Sequence, residues 1–532
     1  MIEHFLFTSE YACNRANFEI NISGSSRLTL GEDQIVYKGL NETEDGLELN
    51  YEYNKEHLRI TTELKLIGGT NVIVQKNKIK NIGDGTVKLT RFSSAFIEDI
   101  AYNENTPYYR NENITVNICH SKWQGEGQWK KYTLPELGIY PTTIHDSERE
   151  SFKINSVGSW STANFYPLAI IEDNKKKNTW FMETEGSHSW YIKLASYGGY
   201  TAPSLSLEAC NETAFGYNMD EDSILKRYDV KINGWRSFYN FSNPKVREYL
   251  TGKVEALYNI GFRFIKNDYN ASIGIGATNN YDGDSPAEGA IVNANTFYSF
   301  VESLYEKFPD LVIENCGSGA LRCDNKMLRR CYLQSTSDQE FYYNNPSIVM
   351  GSMAVMPPEK AGIWSYPYPA MYPYKDGKYV PFAPDEEYID RMKDGKETAF
   401  NMVTAMTGYL YLSGRIEFCD EKNFALVKEA VDFYKNIRKY ISVSRPVFPL
   451  GMVGINEKKT AALGLLSENK LLLAVWNLTD EEKTVELPLE EYINSEIVVD
   501  SVYPAKAKYS VSDRTVSLKL SSLEAVYIEI TI

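Results

Sequence analysis

The stretch GFRFIKNDYN, residues 261–270, decides the fold. Phe262, Phe264 and Ile265, with Ile260 just before them, form a short apolar run that ends abruptly in charge. Such a run reads as a buried strand opening into a polar end. Side chains alternate along a strand, so Lys266, Asp268 and Asn270 share one face. A carboxylate two residues past a lysine, at the end of a buried parallel strand, is where an α/β barrel carries its chemistry. A solvated strand end with an ordinary ion pair has the same local form.

Two neighbouring segments repeat the pattern. CYLQSTSDQEF, residues 331–341, is a short apolar run followed by small hydroxyl residues and then Asp338. LVIENCGSGALRCD, residues 311–324, reads as a further buried strand ending in a Gly-rich turn with Glu314, Asn315, Cys316 and Arg322. Three successive strands thus end in polar clusters separated by helical spacers, the sequence form of adjacent strands delivering side chains to one face.

Working outward, residues 1 to about 200 read as mostly β. Runs such as LRITTELKLI, NVIVQKNKIKNI and TVKLTRFSSAFI alternate in polarity, with the turn Gly83-Asp84-Gly85 between two of them. A large β-sandwich is expected there. Asn243-Pro244 starts an amphipathic helix over 243–259, with Val246, Tyr249, Leu250 and Val254 spaced for one buried face. Strands over 261–268, 310–315, 331–337, 348–356 and 408–413 then alternate with helices near 288–307, 387–407 and 421–441, which is βα architecture. After Pro446 the runs TAALGLLS, KLLLAVWNL, KTVELPL, EIVVDSVY and AVYIEITI predict a small antiparallel domain. The expected organisation is 1–200, 201–442 and 443–532.

At 532 residues the chain is long enough for two to four domains. A net charge of −15 argues against nucleic acid or an anionic membrane as the main partner. The 39 tyrosines suit sugar rings, and they also fill β-sandwiches. Seven cysteines without a Cys-x-x-Cys pair suggest neither a disulfide framework nor a zinc site. The N-terminal MIEHFLFTSEYACN lacks the basic start and long apolar run of a signal peptide, so a reduced cytoplasm is the expected location. All five histidines, His4, His57, His120, His145 and His188, lie ahead of the segment with the polar strand ends. Acid–base chemistry there falls to carboxylates, and two-carboxylate chemistry means glycoside hydrolysis first.

Six motifs in order now carry a resemblance. NFSNPKVREYL (240–250), FIKNDYN (264–270), IENCGSGALRCD (313–324), STSDQE (335–340), MPPEKAGIWSYP (356–367) and LSGR (412–415) resemble those of glycoside hydrolase family 36, the retaining α-galactosidases or melibiases. CHSKWQGEGQW (119–129) is similar to a segment of that family's N-terminal domain that brings a Trp near the sugar. The resemblance implies an N-terminal β-supersandwich, a central (β/α) barrel of TIM type and a C-terminal antiparallel β-sandwich. It implies that Asp268 is the nucleophile and Asp338 the acid/base. Lys266 and Asn270 would hold galactose hydroxyls, and Cys316 and Gly319 would line the pocket near the 2-position, with Arg322, Trp364 and Trp123 as further substrate contacts. It implies no cofactor and no metal. The expected partner is an α-galactoside oligosaccharide, and the resemblance adds a homo-oligomer. An α-N-acetylgalactosaminidase, a galactosyl transferase of the same family, and a non-catalytic galactoside-binding protein remain open beside the α-galactosidase.

The sequence also departs from the family. Three βα units normally precede the NPxVRxYL helix and need about 90 residues. Only about 45 stand between Tyr200 and Asn243, offering two short strand candidates, SLSLEA and RYDVKI. The family's Asp-Asp-Gly-Trp segment, which grips galactose hydroxyls, has no counterpart. A barrel lacking its first strands, and weak sugar binding, are therefore expected.

Overall fold

The computed structural model describes residues 20–22, 35–100, 113–140, 148–197, 204–211, 238–276, 286–368, 374–375, 378–379 and 386–532, apart from residues 56, 88 and 275. The described N-terminal part is antiparallel β. A four-stranded sheet runs from Ile35–Thr43 through Gly46–Tyr53 and Leu58–Leu66 to Ile73–Asn81. Alternation along Leu58–Leu66 buries Leu58, Ile60 and Leu64 on one face. Two further four-stranded sheets face each other across a core of Ile118, Ile154, Ile171, Trp190 and Ile192. The candidate strand SLSLEA forms, as Ser204–Asn211, but it pairs with Trp190–Tyr197. The N-terminal sheet therefore takes up chain that the sequence pattern had left for the barrel. RYDVKI lies outside the described residues.

Helix α1, Pro244–Asn259, opens as expected: the Asn243 side chain accepts from the Lys245 N–H, and Pro244 occupies the first turn. It buries Val246 and packs Leu250, Val254 and Tyr258 on the core, whereas Tyr249 points to solvent. Five parallel strands follow in sequential order: β1 Phe264–Asp268, β2 Val312–Cys316, β3 Leu333–Ser335, β4 Ala361–Ser365 and β5 Tyr409–Leu412. Helix α2, Pro286–Lys307, crosses from β1 to β2 and buries Phe297, Tyr298, Val301 and Leu304 against Ile313.

One expected strand is a helix. Residues 348–356 lie largely in α3, Asn345–Met353, and the fourth strand is Ala361–Ser365. Every residue of α3 is buried, so its apolar run carries no helical periodicity and reads like a buried strand. The expected helix over 387–407 is two, Glu386–Met392 and Lys396–Ala405, broken at Gly395 with φ 75°.

Among the described residues no strand pairs with the outer edge of β1 or of β5. Ile260, Phe262 and Phe264 at one edge, and Tyr409 and Leu412 at the other, are exposed. The last helix, Glu421–Ile441, leads into a C-terminal sandwich of a five-stranded and a three-stranded antiparallel sheet. That sandwich is fastened to the parallel domain by Trp476, whose indole N–H donates to Thr404 Oγ1 at 3.0 Å, in an apolar cluster with Phe400, Met402 and Tyr527.

Candidate active site

The parallel ladder sets which side chains meet. Lys266 pairs in register with Glu314 and Asp268 with Cys316; Ser335 pairs with Gly362, and Trp364 with Tyr411. Alternation places Lys266, Asp268, Glu314, Cys316, Ser335, Trp364 and Tyr411 on one face of the sheet. The Lys266 ammonium lies 3.7 Å from Glu314 Oε1 and 4.6 Å from the centroid of the Trp364 ring. Burial pushes the Glu314 carboxyl up, and the Lys266 charge draws it back. Tyr411 lies against Gly362, where a Cβ would stand 2.5 Å from its hydroxyl. The indole N–H of Trp364 donates to Ser335 Oγ at 3.1 Å. Asp268 closes this row at the exposed C-terminal end of β1. Beside it the buried Cys316 thiol is pushed up to about 12, first by burial.

Asp338 stands three residues past β3. Its Oδ2 accepts from the indole N–H of Trp123 at 2.9 Å, so a residue of the N-terminal domain touches the expected acid/base directly. Asn270, beyond β1, accepts from the backbone N–H of Ser318 at 3.2 Å and from its hydroxyl at 3.0 Å, tying the first strand-end loop to the second. Gly319 has φ 81°, and a Cβ there would come within 2.8 Å of Ser337 Cα, so the second loop packs closely on the third. The expected residues Asp268, Lys266, Asn270, Cys316, Gly319, Trp364, Asp338 and Trp123 are thus gathered at one end of the sheet.

Arg322 is placed otherwise. It is buried, stacked on Tyr269 at 4.1 Å and near Phe297 at 5.2 Å, and its guanidinium donates to Asn315 Oδ1 at 2.9 Å. Asn315 in turn donates to the Arg322 carbonyl at 2.6 Å. The pair closes the turn between Asn315 and Arg322 from behind and leaves no guanidinium beside Lys266.

Residues absent from the expected set make up the floor. The Trp160 indole donates to the Tyr269 carbonyl at 3.0 Å, and Ser159 Oγ shares a hydrogen bond with the Tyr269 hydroxyl at 2.9 Å. Ser161 and Ser187 both donate to Asp324 Oδ2 at 2.6 Å, and the Thr162 hydroxyl donates to the Ala320 carbonyl at 2.5 Å. Glu126 accepts from Ser337 Oγ at 2.6 Å. The N-terminal domain therefore grips all three strand-end loops. Glu314 was visible in the sequence as a charge inside a buried strand. Glu126 sits within the CHSKWQGEGQW segment, but nothing local marks it, because its partner Ser337 lies about 200 residues away in the chain.

Among the described residues no group of three or more His, Cys, Asp or Glu is placed to hold a metal ion, and no helix is long and apolar enough to cross a membrane. A cavity of about 630 Å³ lies elsewhere, walled by Leu168, Phe181, Met353 and Pro446, and contains none of the residues gathered here.

Residues 222–444 match the melibiase family model. That segment is a melibiase domain, and the chain is a glycoside hydrolase. Its fold is similar to that of α-galactosidase AgaB of glycoside hydrolase family 36 from Geobacillus stearothermophilus, with TM-score 0.69 and 13% identity over 97% of this chain and 89% of that one. The galactosidase domain of the α-galactosidase–sucrose kinase AgaSK gives TM-score 0.68 at 14% identity, covering 99% and 89%. The α-galactosidase from Lactobacillus brevis gives 0.67 at 11% identity, covering 97% and 88%. No curated protein sequence matches the chain.

Proposed function

We propose that this protein is a retaining α-galactosidase that removes terminal α-linked galactose from oligosaccharides. The reading is supported by Asp268 and Lys266 at the end of β1 and the Asp338 loop after β3 opening at the same end of the sheet, within the segment that matches the melibiase model. In the first step an Asp268 oxygen attacks the anomeric carbon as the glycosidic C–O bond breaks, and Asp338 gives its proton to the departing oxygen. In the second, Asp338 takes a proton from water, whose oxygen replaces Asp268 at the same carbon, so the α configuration returns. Such a pair needs its carboxyls about 5–5.5 Å apart, so Asp338, carried three residues past β3, has to reach across the end of β2 towards Asp268.

Lys266, fixed between Glu314 and the Trp364 face, supplies a charged donor for ring hydroxyls. Asn270 and the small Cys316–Gly319 turn shape the wall near the 2-position, which favours galactose over its N-acetyl analogue. Trp123 and Trp364 offer apolar faces to the sugar, and Arg322 supports the turn from behind. The related AgaA has been solved with raffinose and with stachyose, and sugars of that type are the natural first substrates. Cys119, Cys316, Cys323, Cys331 and Cys419 are all unpaired, which suits a reducing, cytoplasmic compartment.

A second reading, a galactoside-binding protein without turnover, draws on the five-stranded sheet whose outer edges have no described partner. Incubation with an aryl α-galactoside, tracking the anomeric product by NMR, separates them. Release of aglycone with α-galactose formed first supports the retaining enzyme. Binding without release supports the second reading, and β-galactose as first product refutes the double displacement.

A further inference from the structure

Glu126 is fully buried, yet it belongs to the N-terminal domain and faces the barrel loop that carries Asp338. Its Oε2 accepts from Ser337 Oγ at 2.6 Å, and its Oε1 accepts from the backbone N–H of Gln124 at 3.3 Å. Ser337 Oγ also accepts from the Gln339 N–H at 3.1 Å, and the Gln339 amide donates to the Gln124 carbonyl at 2.8 Å. These four bonds close a ring, Glu126–Ser337–Gln339–Gln124, around the residue after Ser337, which is Asp338. Trp123, next to Gln124, completes it by donating to Asp338 Oδ2 at 2.9 Å.

The fit is tight on both sides. A Cβ at Gly319 would stand 2.7 Å from Glu126 Oε1, so the carboxyl fills the space between the second and third strand-end loops. The segment carrying Glu126 is itself anchored. A Cβ at Gly127 would meet the Ser352 nitrogen of α3 at 2.8 Å, and the Trp129 indole donates to the Gly351 carbonyl at 3.1 Å. By contrast β3 is only three residues long, and its pairing with β4 ends at Thr336, whose N–H donates to the Gly362 carbonyl at 3.0 Å, two residues short of Asp338.

We propose that Glu126 is a positioning residue for the acid/base: it transmits the rigidity of the N-terminal domain and α3 to the loop that aims Asp338 at the glycosidic oxygen. The inference rests on the hydrolase reading above. An acid must meet the leaving oxygen within hydrogen-bond reach, and a displacement of about 1 Å costs on the order of 100-fold in rate. A poor leaving group needs that proton and an activated one does not. Burial pushes Glu126 up to about 8, so the fold holds in this place a group that is costly to ionise. Glutamine has the same shape. Its oxygen can accept from Gln124, and its amide can donate to Ser337 Oγ.

The test compares Glu126→Ala and Glu126→Gln on raffinose and on an aryl α-galactoside. The expected result is a fall in kcat on raffinose of roughly 30- to 100-fold for Glu126→Ala. The aryl substrate should lose only a few-fold, KM should change little, and Glu126→Gln should restore near wild-type rates. Equal losses on both substrates indicate a merely structural role and overturn the proposal, as does full raffinose activity in Glu126→Ala. Crystal structures of wild type and both variants give a readout that needs no turnover. Displacement of the Asp338 carboxylate in the alanine variant, reversed in the glutamine variant, supports the proposal. An unmoved Asp338 overturns it, even if wild type turns over no α-galactoside and the hydrolase reading itself has failed.

Discussion

Replacing Glu126 by Gln should make the protein's stability rise relative to wild type as pH increases. The Glu126 carboxyl is raised from 4.5 to about 8, with burial the first cause and the Ser337 bond opposing it. A folded-state pKa above the unfolded value gives a contribution that is fully present below pH 4.5 and is lost as pH climbs to about 8. Over this window the unfolded chain ionises freely while the folded one holds its proton. The shift corresponds to an upper bound of about 5 kcal/mol. Glutamine cannot ionise, so all other titrating groups cancel in the difference between the two proteins. Urea unfolding at pH 5, 6, 7 and 8.5, monitored by tryptophan emission, measures that difference. Near pH 5 the two proteins should be close, and by pH 8.5 Glu126→Gln should be the more stable. A difference that does not change with pH would mean Glu126 ionises normally in its pocket, and one that shrinks with rising pH would reverse the sign of the burial effect.

The site supports three more expected outcomes. Asp268→Ala should abolish turnover and leave the fold intact, because Asp268 lies exposed at a strand end; azide or formate should restore some activity with inverted product, and wild-type turnover in this variant would remove the mechanism. Asp338→Ala should harm raffinose hydrolysis far more than that of an aryl α-galactoside, and equal losses would speak against the acid/base role. The missing Asp-Asp-Gly-Trp clamp should lower kcat/KM about 10- to 100-fold below that of AgaB on the same substrate, if two hydrogen bonds of about 0.5–1.5 kcal/mol each are lost; a kcat/KM equal to that of AgaB would show that the cradle is complete.

The antiparallel parts were legible because each strand there buries one face and keeps a clean alternation. Leu58–Leu66, Lys470–Asn477 and Ala525–Thr531 all appear within the runs that predicted them. β1 and β2 were legible for a different reason: an apolar run that stops at a charge marks a strand leaving the core at a polar end. Reading failed where burial erased polarity, at α3, and where a small residue served a neighbour. No strand was expected over 361–365, yet Gly362 is the place where β4 makes room for Tyr411. The strand Ser204–Asn211 was recognised as a strand, but which sheet it joins depends on partners at Trp190–Tyr197, outside any local pattern. Asp268 and Asp338 stand out locally as charges ending apolar runs, whereas Glu126, Trp160 and Ser161 do not, because their contacts to the strand-end loops span more than 100 residues.

The two expected catalytic carboxylates are supported in different ways. Asp268 is the last residue of a strand paired over its full length with β2, and the Tyr269 N–H continues the ladder by donating to the Cys316 carbonyl at 2.8 Å. Asp338 has no such ladder; β3 pairs with β2 through two residues and ends at Ser335. The segment after β3 is held at its ends by Gly362 and Asn345, and around Asp338 from outside by Trp123, Gln124 and Glu126 of the N-terminal domain. The same domain grips Tyr269 through Trp160, and Ala320 and Asp324 through Thr162 and Ser161. A nucleophile needs only to be placed, whereas an acid/base must serve two proton transfers in opposite directions and keep its aim through both. In the proposed mechanism the more demanding role falls to Asp338, the residue braced by two domains. The N-terminal β domain is on this view part of the catalytic apparatus, and the long stretch of sequence between Trp123 and Asp338 is the reason the brace cannot be seen until the chain is folded.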